Sequence, residues 1–94
     1  MTNWCFEDPQ NIAVFTTKYV VYKEHSILLV THDLEDGAWQ FLDTLSSTVD
    51  DSRVIALSEI VELDPSVNEL ADLPLGWKAE RSSSNEKWIR SKND

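Results

Sequence analysis

The stretch SILLVTHDLEDGAWQFL, residues 26–42, is the most informative part of the sequence about the fold, because it holds two apolar segments joined by a short polar one. Its first seven residues include four consecutive apolar side chains, the pattern of a strand that is covered on both faces. In its last five residues Trp39 and Phe41 alternate with Gln40, which predicts a second strand. Gly37 supplies the positive φ that a tight connection between two strands needs. The stretch therefore predicts a β-hairpin.

The polar segment of this hairpin contains four side chains that can bind metal ions: His32, Asp33, Glu35 and Asp36. A calcium loop needs a longer array of spaced oxygens that ends in a bidentate glutamate. A zinc site needs three or four ligands, and the single cysteine and the second histidine lie far away in the sequence. Asp33 and Asp36 are also common turn residues, because their carboxylates accept bonds from nearby amides. We interpret residues 33–37 as a turn and expect no metal site. We interpret His32 as a capping or hydrogen-bonding residue.

The segments on both sides of the hairpin also predict strands. Residues 11–17 and 53–57 are apolar and β-branched, and the polar residues 43–52 are predicted to form a loop. Residues 18–25 fit either a strand, by propensity, or one helical turn, by position. Residues 76–81 and 87–90 predict a second hairpin, closed by the polar loop between them.

Residues 58–74, SEIVELDPSVNELADLP, predict two short helices, around 58–64 and 65–72. Pro65 cannot lie inside one long helix, but it suits the first position of a second helix capped by Asp64. Ser58 is a suitable N-cap for the first helix. Leu73 precedes Pro74, which disfavours helical geometry and ends the second helix.

This order of elements predicts an α+β domain with a mainly antiparallel sheet of about five strands. A chain of 94 residues forms one domain, 1–94, with a core over about 12–90. We expect residues 1–10, including Trp4, and residues 91–94 to be loose. The start, MTNWCFEDPQ, lacks the basic and apolar regions of a signal peptide. With a single cysteine, Cys5, the composition fits a reducing, cytoplasmic setting.

The net charge of −9 argues against binding to nucleic acid or to an anionic membrane. The charge is uneven, since residues 1–76 hold 14 acids and 3 bases, a net of −11. One reading is that the acids keep a small domain soluble, and the other is that an acidic face steers a basic protein partner. The acids of the predicted loops are the candidate partner-binding residues: Asp33, Glu35, Asp36, Asp50 and Asp51. We expect a monomer or a weak homodimer.

No arrangement in the sequence points to catalysis, so we predict no enzyme, no catalytic residue and no cofactor. With Gly37 and Gly76 as its two glycines, the chain has no phosphate-binding loop or dinucleotide fingerprint. Cys5 would form a catalytic pair with a histidine only if the fold joined them. The aromatic residues Trp39, Trp77 and Trp88 are either core residues or exposed recognition anchors.

The motifs DGAWQF (36–41), VIALSEIVELDPSVNELADLPLGWKAER (54–81) and the closing W-x-R (88–90) resemble a known family. It is a family of small bacterial proteins of unknown function, grouped with the immunity-protein-like domains of polymorphic toxin systems. The resemblance covers about residues 12–90. It is carried by Asp36, Gly37, Trp39, Phe41, Asp64, Pro65, Ser66, Leu73, Pro74, Gly76, Trp77 and Arg81. The resemblance implies an α+β fold, no cofactor and a protein-binding role.

Two functions follow as hypotheses. The first is a non-enzymatic, acidic interaction protein of the cytoplasm, such as an immunity-like inhibitor that masks a basic enzyme surface. The second is a small-molecule-binding or regulatory domain that uses an aromatic pocket on the sheet.

Overall fold

The computed structural model describes residues 4–43 and 49–93, which form one mixed sheet with short helices packed against it. The α+β class is therefore confirmed. The strands are β1 (Ala13–Thr17), β2 (Leu29–His32), β3 (Trp39–Leu42), β4 (Ser52–Ala56), β5 (Trp77–Glu80) and β6 (Ile89–Lys92).

The sheet has six strands in the order β4-β1-β3-β2-β5-β6, where about five were predicted. The two predicted hairpins are confirmed, since β2 pairs with β3 and β5 pairs with β6, both antiparallel. The pairing of β1 with β3 is parallel, whereas the other four pairings are antiparallel. The sheet is thus mainly antiparallel, with one parallel seam where β1 joins the central hairpin.

Residues 18–25, which fitted either a strand or a helix, begin with one helical turn, α1 (Lys18–Val21). Thr17 caps this turn, because its hydroxyl accepts a hydrogen bond from the amide of Val20 at 3.4 Å. Lys23 then takes a positive φ of 61°. Such a conformation ends the helical turn before the chain enters β2.

The first helix of the 58–74 region is α2 (Leu57–Leu63), and its predicted cap is wrong. The N-cap residue is Ala56, not Ser58, and no side chain caps this end. Backbone carbonyls take over that role. The amide of Leu57 donates to the Ile12 carbonyl, and that of Ser58 donates to the Gln10 carbonyl, each at 2.9 Å. The start of α2 is satisfied by the chain that leads into β1, so it needs no polar cap.

The second helix is a 3₁₀ helix over Pro65–Leu70, and its predicted cap is confirmed. The Asp64 carboxylate accepts from the Ser66 amide at 3.1 Å, and Pro65 occupies the first position. A second 3₁₀ turn, Val49–Asp51, leads into β4. Of the predicted loop 43–52, residues 44–48 lie outside the described part of the chain.

The core lies between one face of the sheet and two helices, α2 and the 3₁₀ helix Pro65–Leu70. Along β3, buried residues alternate with partly buried ones, so one face of this strand is turned to the core. Trp39 and Phe41 point into it, and Gln40 between them is only partly buried. The sheet contributes Val14, Val30, Trp39, Phe41 and Ala79 to this contiguous core, and the helical region contributes Leu57, Ile60, Val67, Leu70 and Leu73.

Two expectations about the chain ends need correction. Residues 4–10 are not a loose arm, because Phe6 is 5% exposed and packs edge-on against Trp39. Trp4 packs against the same core and donates its indole N–H to the Asp8 carbonyl at 2.7 Å. At the other end, residues 91 and 92 belong to β6, which pairs along its whole length with β5. Residues 4–10 are therefore held by packing of Trp4 and Phe6 on the core, and residues 91 and 92 by strand pairing.

The strand registers define two opposite ends of the sheet. Where His32 pairs with Trp39 and with Trp77, the sheet meets residues 33–38 and 73–76; we call this the turn end. Where Thr17 pairs with Ser52 and Leu29 pairs with Leu42, the sheet meets residues 18–28, 43 and 49–51; we call this the loop end. A strand of four residues separates the two ends by about 10 Å.

Candidate functional site

The turn between β2 and β3 is held by its own backbone and by two of its carboxylates. The Asp33 amide donates to the Ala38 carbonyl at 2.8 Å, and the Gly37 amide donates to the Asp33 carbonyl at 3.0 Å. One carboxylate oxygen of Asp33 accepts from the Glu35 amide at 2.8 Å, and one of Asp36 accepts from the Ala38 amide at 2.9 Å. Gly37 has a φ of 72°. The interpretation of residues 33–37 as a turn is confirmed.

A second loop packs onto this turn through reciprocal contacts between leucines and glycines. Leu34 lies over Gly76, since a Cβ placed on Gly76 would be 3.4 Å from the Leu34 Cβ. Leu75 lies over Gly37, since a Cβ placed on Gly37 would be 3.9 Å from the Leu75 Cδ2 methyl. The Gly76 amide donates to the His32 carbonyl at 2.7 Å, and the Gly76 carbonyl accepts from the Asn93 amide at 2.8 Å. Three segments of the chain, 32–37, 75–76 and 93, thus contact one another at the turn end.

The two leucines remain largely exposed in this arrangement. Leu34 is 68% exposed and Leu75 is 49% exposed, although both are held by the contacts just described. They border a groove of ≈ 650 Å³, whose other lining residues are His32, Asp33, Glu35, Gly76, Trp77, Lys92 and Asn93. The turn end therefore combines an apolar centre with an acidic rim.

His32 supports the turn end from inside. Its Nδ1 lies 2.7 Å from the Leu73 carbonyl oxygen, and because a carbonyl only accepts, this nitrogen carries the proton. Its ring stacks on Trp39 with 3.8 Å between the ring centroids. The sequence interpretation of His32 as a hydrogen-bonding residue is confirmed, and the bond fixes the chain just before Pro74.

More carboxylates lie on the neighbouring surface of the turn end. Glu7, Asp8 and Asp72 line a smaller groove of ≈ 290 Å³ on the other side of His32 and Leu75. Asp8 accepts from the indole N–H of Trp39 at 2.7 Å. Asp72 is hydrogen-bonded to the Arg90 guanidinium, and this bond, with the attraction of the positive charge, lowers the pKa of the Asp72 carboxyl below its ordinary value of 3.8.

The five candidate partner-binding acids do not come together. Asp33, Glu35 and Asp36 are exposed at the turn end, and within residues 4–43 and 49–93 no base forms an ion pair with them. Asp50 and Asp51 lie at the loop end. Asp51 is 3.6 Å from the Lys18 ammonium, and only 15% of its side chain is exposed. Of these five acids, the three at the turn end lie close together in the chain and have no ionic partner among the described residues.

The loop end contains a histidine–carboxylate pair that the sequence reasoning missed. His25 Nδ1 is 2.6 Å from an Asp43 carboxylate oxygen, and the other oxygen accepts from the Thr17 hydroxyl at 3.0 Å. The Asp43 side chain is 3% exposed and that of His25 is 56% exposed. The register could have indicated this pair, because Leu29 opposite Leu42 places the chain before β2 beside the chain after β3.

This pair orients an imidazole, but acyl transfer would also need a nucleophile held beside it. Across the described residues, the imidazole of His25 contacts the Asp43 carboxylate through Nδ1 and stacks on the Tyr19 ring, while the His25 amide donates to the Tyr19 carbonyl at 3.1 Å. Cys5 is exposed on the segment that packs through Phe6 near the turn end. The contact between His25 and Asp43 joins the chain between α1 and β2 to the residue after β3.

The sequence did not decide whether Trp39, Trp77 and Trp88 are core residues or exposed anchors, and the structure gives each a different environment. Trp39 is 2% exposed and stacks with Phe41, so it belongs to the core. Trp77 is half-buried and lines the larger groove at the turn end. Trp88 is half-buried, and the Arg81 guanidinium lies over its ring at 4.0 Å. These three rings do not converge on one pocket.

In the part of the chain that the structure describes, no group of three His, Cys, Asp or Glu side chains is arranged to hold a metal ion. Among the helices of those same residues, none is long and apolar enough to cross a membrane. Comparison with protein families, with curated proteins and with solved structures gives no match. The resemblance to immunity-protein-like domains therefore stays a prediction from the sequence.

Proposed function

We propose that this protein is a non-enzymatic interaction protein of the cytoplasm that binds a basic protein partner through its turn end. The observation that carries the proposal is the group of exposed carboxylates at that end, Asp33, Glu35 and Asp36, beside two exposed leucines. An immunity-like inhibitor that covers a basic enzyme surface is the specific form that we favour, because the resemblance in the sequence implies it.

The charges of the chain support this proposal. Three of the five bases in residues 77–94 are used inside the molecule: Lys78 pairs with Glu80, Arg81 with Asp64 and Arg90 with Asp72. The acids of the turn remain without such partners among the described residues. Exposed like charges repel one another, and a basic partner would relieve that repulsion.

The aromatic-pocket alternative has less support. Trp39 contacts both Phe6 and Phe41 in the core, and all three rings are buried, so they are not available to a ligand. The larger groove at the turn end has one tryptophan and several polar side chains at its wall. Ligand sites for small molecules are mostly lined by apolar and aromatic side chains.

The first test is to capture partners on the immobilised protein and to measure their association at two salt concentrations. We expect a basic partner whose association rate constant falls as salt rises, because exposed charges are screened beyond about 8 Å at physiological ionic strength. The dissociation rate constant should change less, as is usual for charges at the rim of an interface. An acidic partner, or an association rate that ignores salt, would contradict the proposal.

A further inference from the structure

We propose that Leu34 and Leu75 form a prearranged apolar anchor site, which receives one large apolar side chain of a basic partner segment. This inference rests on the proposed function and adds the chemistry of the bound segment: an apolar residue with lysine or arginine on both sides.

The apolar part of the site is fixed before any partner binds. Leu34 is packed over the backbone of Gly76, and Leu75 over that of Gly37, so each leucine holds the loop that presents the other. The hydrogen bonds from the Gly76 amide to His32 and from the Asn93 amide to Gly76 tie both loops to the sheet. A site that is already ordered loses little conformational entropy on binding, which favours affinity.

The exposure of these leucines is what a docking site requires. Leu34 is 68% exposed, Leu75 is 49% exposed, and Trp77 lies half-buried at the wall of the groove between them. The groove has a volume of ≈ 650 Å³, and Leu34, Leu75 and Trp77 are the apolar part of its wall. It therefore has room for one branched or aromatic side chain.

The charges around the groove select the occupant. Asp33 and Glu35 line it, Asp36 lies beside it, and Lys92 is the single base among its lining residues. An anionic lipid surface or a nucleic acid would be repelled. A second copy of this chain also carries a net charge of −9 and would be repelled. A cationic protein segment complements the rim, and its apolar residue complements the leucines.

The test uses two synthetic peptides with blocked ends, Lys-Lys-Gly-Phe-Gly-Lys-Lys and its twin with serine in place of phenylalanine. Each is titrated into the isotope-labelled protein at low salt and followed by NMR. We expect the phenylalanine peptide to bind roughly fivefold or more tightly than the serine peptide, because it buries apolar surface. The largest chemical-shift perturbations should appear at Leu34, Leu75 and Gly76.

Three variants locate the effect. Leu34→Ser and Leu75→Ser should each remove most of the preference for phenylalanine while both peptides still bind. Ile89→Ser is the matched control, because Ile89 is 70% exposed but pairs with Glu80 at the loop end. It should leave the preference unchanged.

The outcomes separate the two proposals. Equal binding of both peptides, unaffected by Leu34→Ser, would overturn the anchor site and leave the acidic interface standing. If neither peptide binds at low salt, the acidic interface fails and the anchor site fails with it. A preference for phenylalanine that Ile89→Ser removes as strongly as Leu34→Ser would also overturn the anchor site.

Discussion

Arg81 shows how much one residue contributes to this fold. Its side chain is 2% exposed, and its guanidinium carbon lies 4.0 Å from the centroid of the Trp88 ring. Its Nε donates to the Ile27 carbonyl at 3.0 Å, and its terminal nitrogens donate to the Ser66 hydroxyl at 3.1 Å and the Asp64 carboxylate at 2.7 Å. One buried cation thus connects β5, the approach to β2 and the start of the 3₁₀ helix.

This network changes what substitution of Asp64 should do. As a helix cap alone, Asp64 would tolerate Asn better than Ala, because the amide oxygen still accepts from the Ser66 amide. The structure adds the ion pair with buried Arg81, so we expect both Asp64→Asn and Asp64→Ala to lower the free energy of unfolding. The loss should be roughly 2–4 kcal/mol, because removing one partner leaves an uncompensated charge. Urea unfolding of the two variants measures it.

Asp72→Asn is the matched control for that measurement. Asp72 also lies 2.7 Å from an arginine nitrogen, but its side chain is 81% exposed. Water can solvate Arg90 when the carboxylate is removed, so stability should stay close to that of the parent. An Asp64→Asn protein as stable as the Asp72→Asn protein would show that the Arg81 charge is compensated in another way.

At the level of single residues, the sequence predicted the roles that depend on partners close by in the sequence. Asp33 and Asp36 bind amides two residues away, and Asp64 binds the amide of Ser66, so spacing alone indicated all three. Arg81 and Asp43 could not be assigned in this way. Their partners lie 17 and 18 residues away, and only the strand pairing brings them together.

At the scale of elements, the two glycines of the turn end are the positions with the least freedom to change. Gly37 and Gly76 have φ values of 72° and 81°, where a side chain is strained. We expect Gly76→Ala to lower the free energy of unfolding by roughly 1–2 kcal/mol. Its new methyl would also press on Leu34, since the nearest atom is 3.4 Å from the Cβ position.

Substitutions at Gly37 provide the comparison. The nearest atom to a Cβ there is 3.9 Å away, so Gly37→Ala should suffer from backbone strain alone and lose less than Gly76→Ala. Gly37→Asn should lose least, because asparagine adopts the left-handed region more readily. Thermal unfolding of the three variants gives the order. Full stability in Gly76→Ala would contradict the close packing of Leu34 on Gly76.

The elements that the sequence predicted well are those specified by local chemistry. Residues 26–42 contain both strands and the turn glycine, and Asp64 with Pro65 marks the start of the second helix. The cap at Ser58 was wrong because the amides at the start of α2 bond to Gln10 and Ile12, far away along the chain. The parallel pairing of β1 with β3 was not predicted, because no local signal specifies which strands become neighbours.

At the scale of the whole molecule, the uneven charge of the sequence has a structural reason. The basic residues of 77–94 lie on and beside β5 and β6, where Arg81 and Arg90 meet acids of the helical region. Two ion pairs inside the molecule therefore join the basic residues of 77–94 to the acidic part of the chain. Among the described residues, the acids without an ion pair include Asp33, Glu35 and Asp36 at the turn end and also Glu59 and Glu62 of α2. All five acids were candidate partner-binding residues from the sequence. Only the sheet registers show that Asp33, Glu35 and Asp36 lie at the opposite end from Asp50 and Asp51.

The most direct measurement of the central claim is the association rate constant of the captured basic partner with two charge-reversed proteins. Glu35→Lys at the turn end and Asp50→Lys at the loop end change the net charge equally, and both positions are exposed. We expect Glu35→Lys to slow association by at least about threefold at low salt, and Asp50→Lys to change it much less, because steering depends on charges near the interface. Equal slowing by both would mean that only the net charge matters. A larger effect of Asp50→Lys would place the binding surface at the loop end and contradict the account.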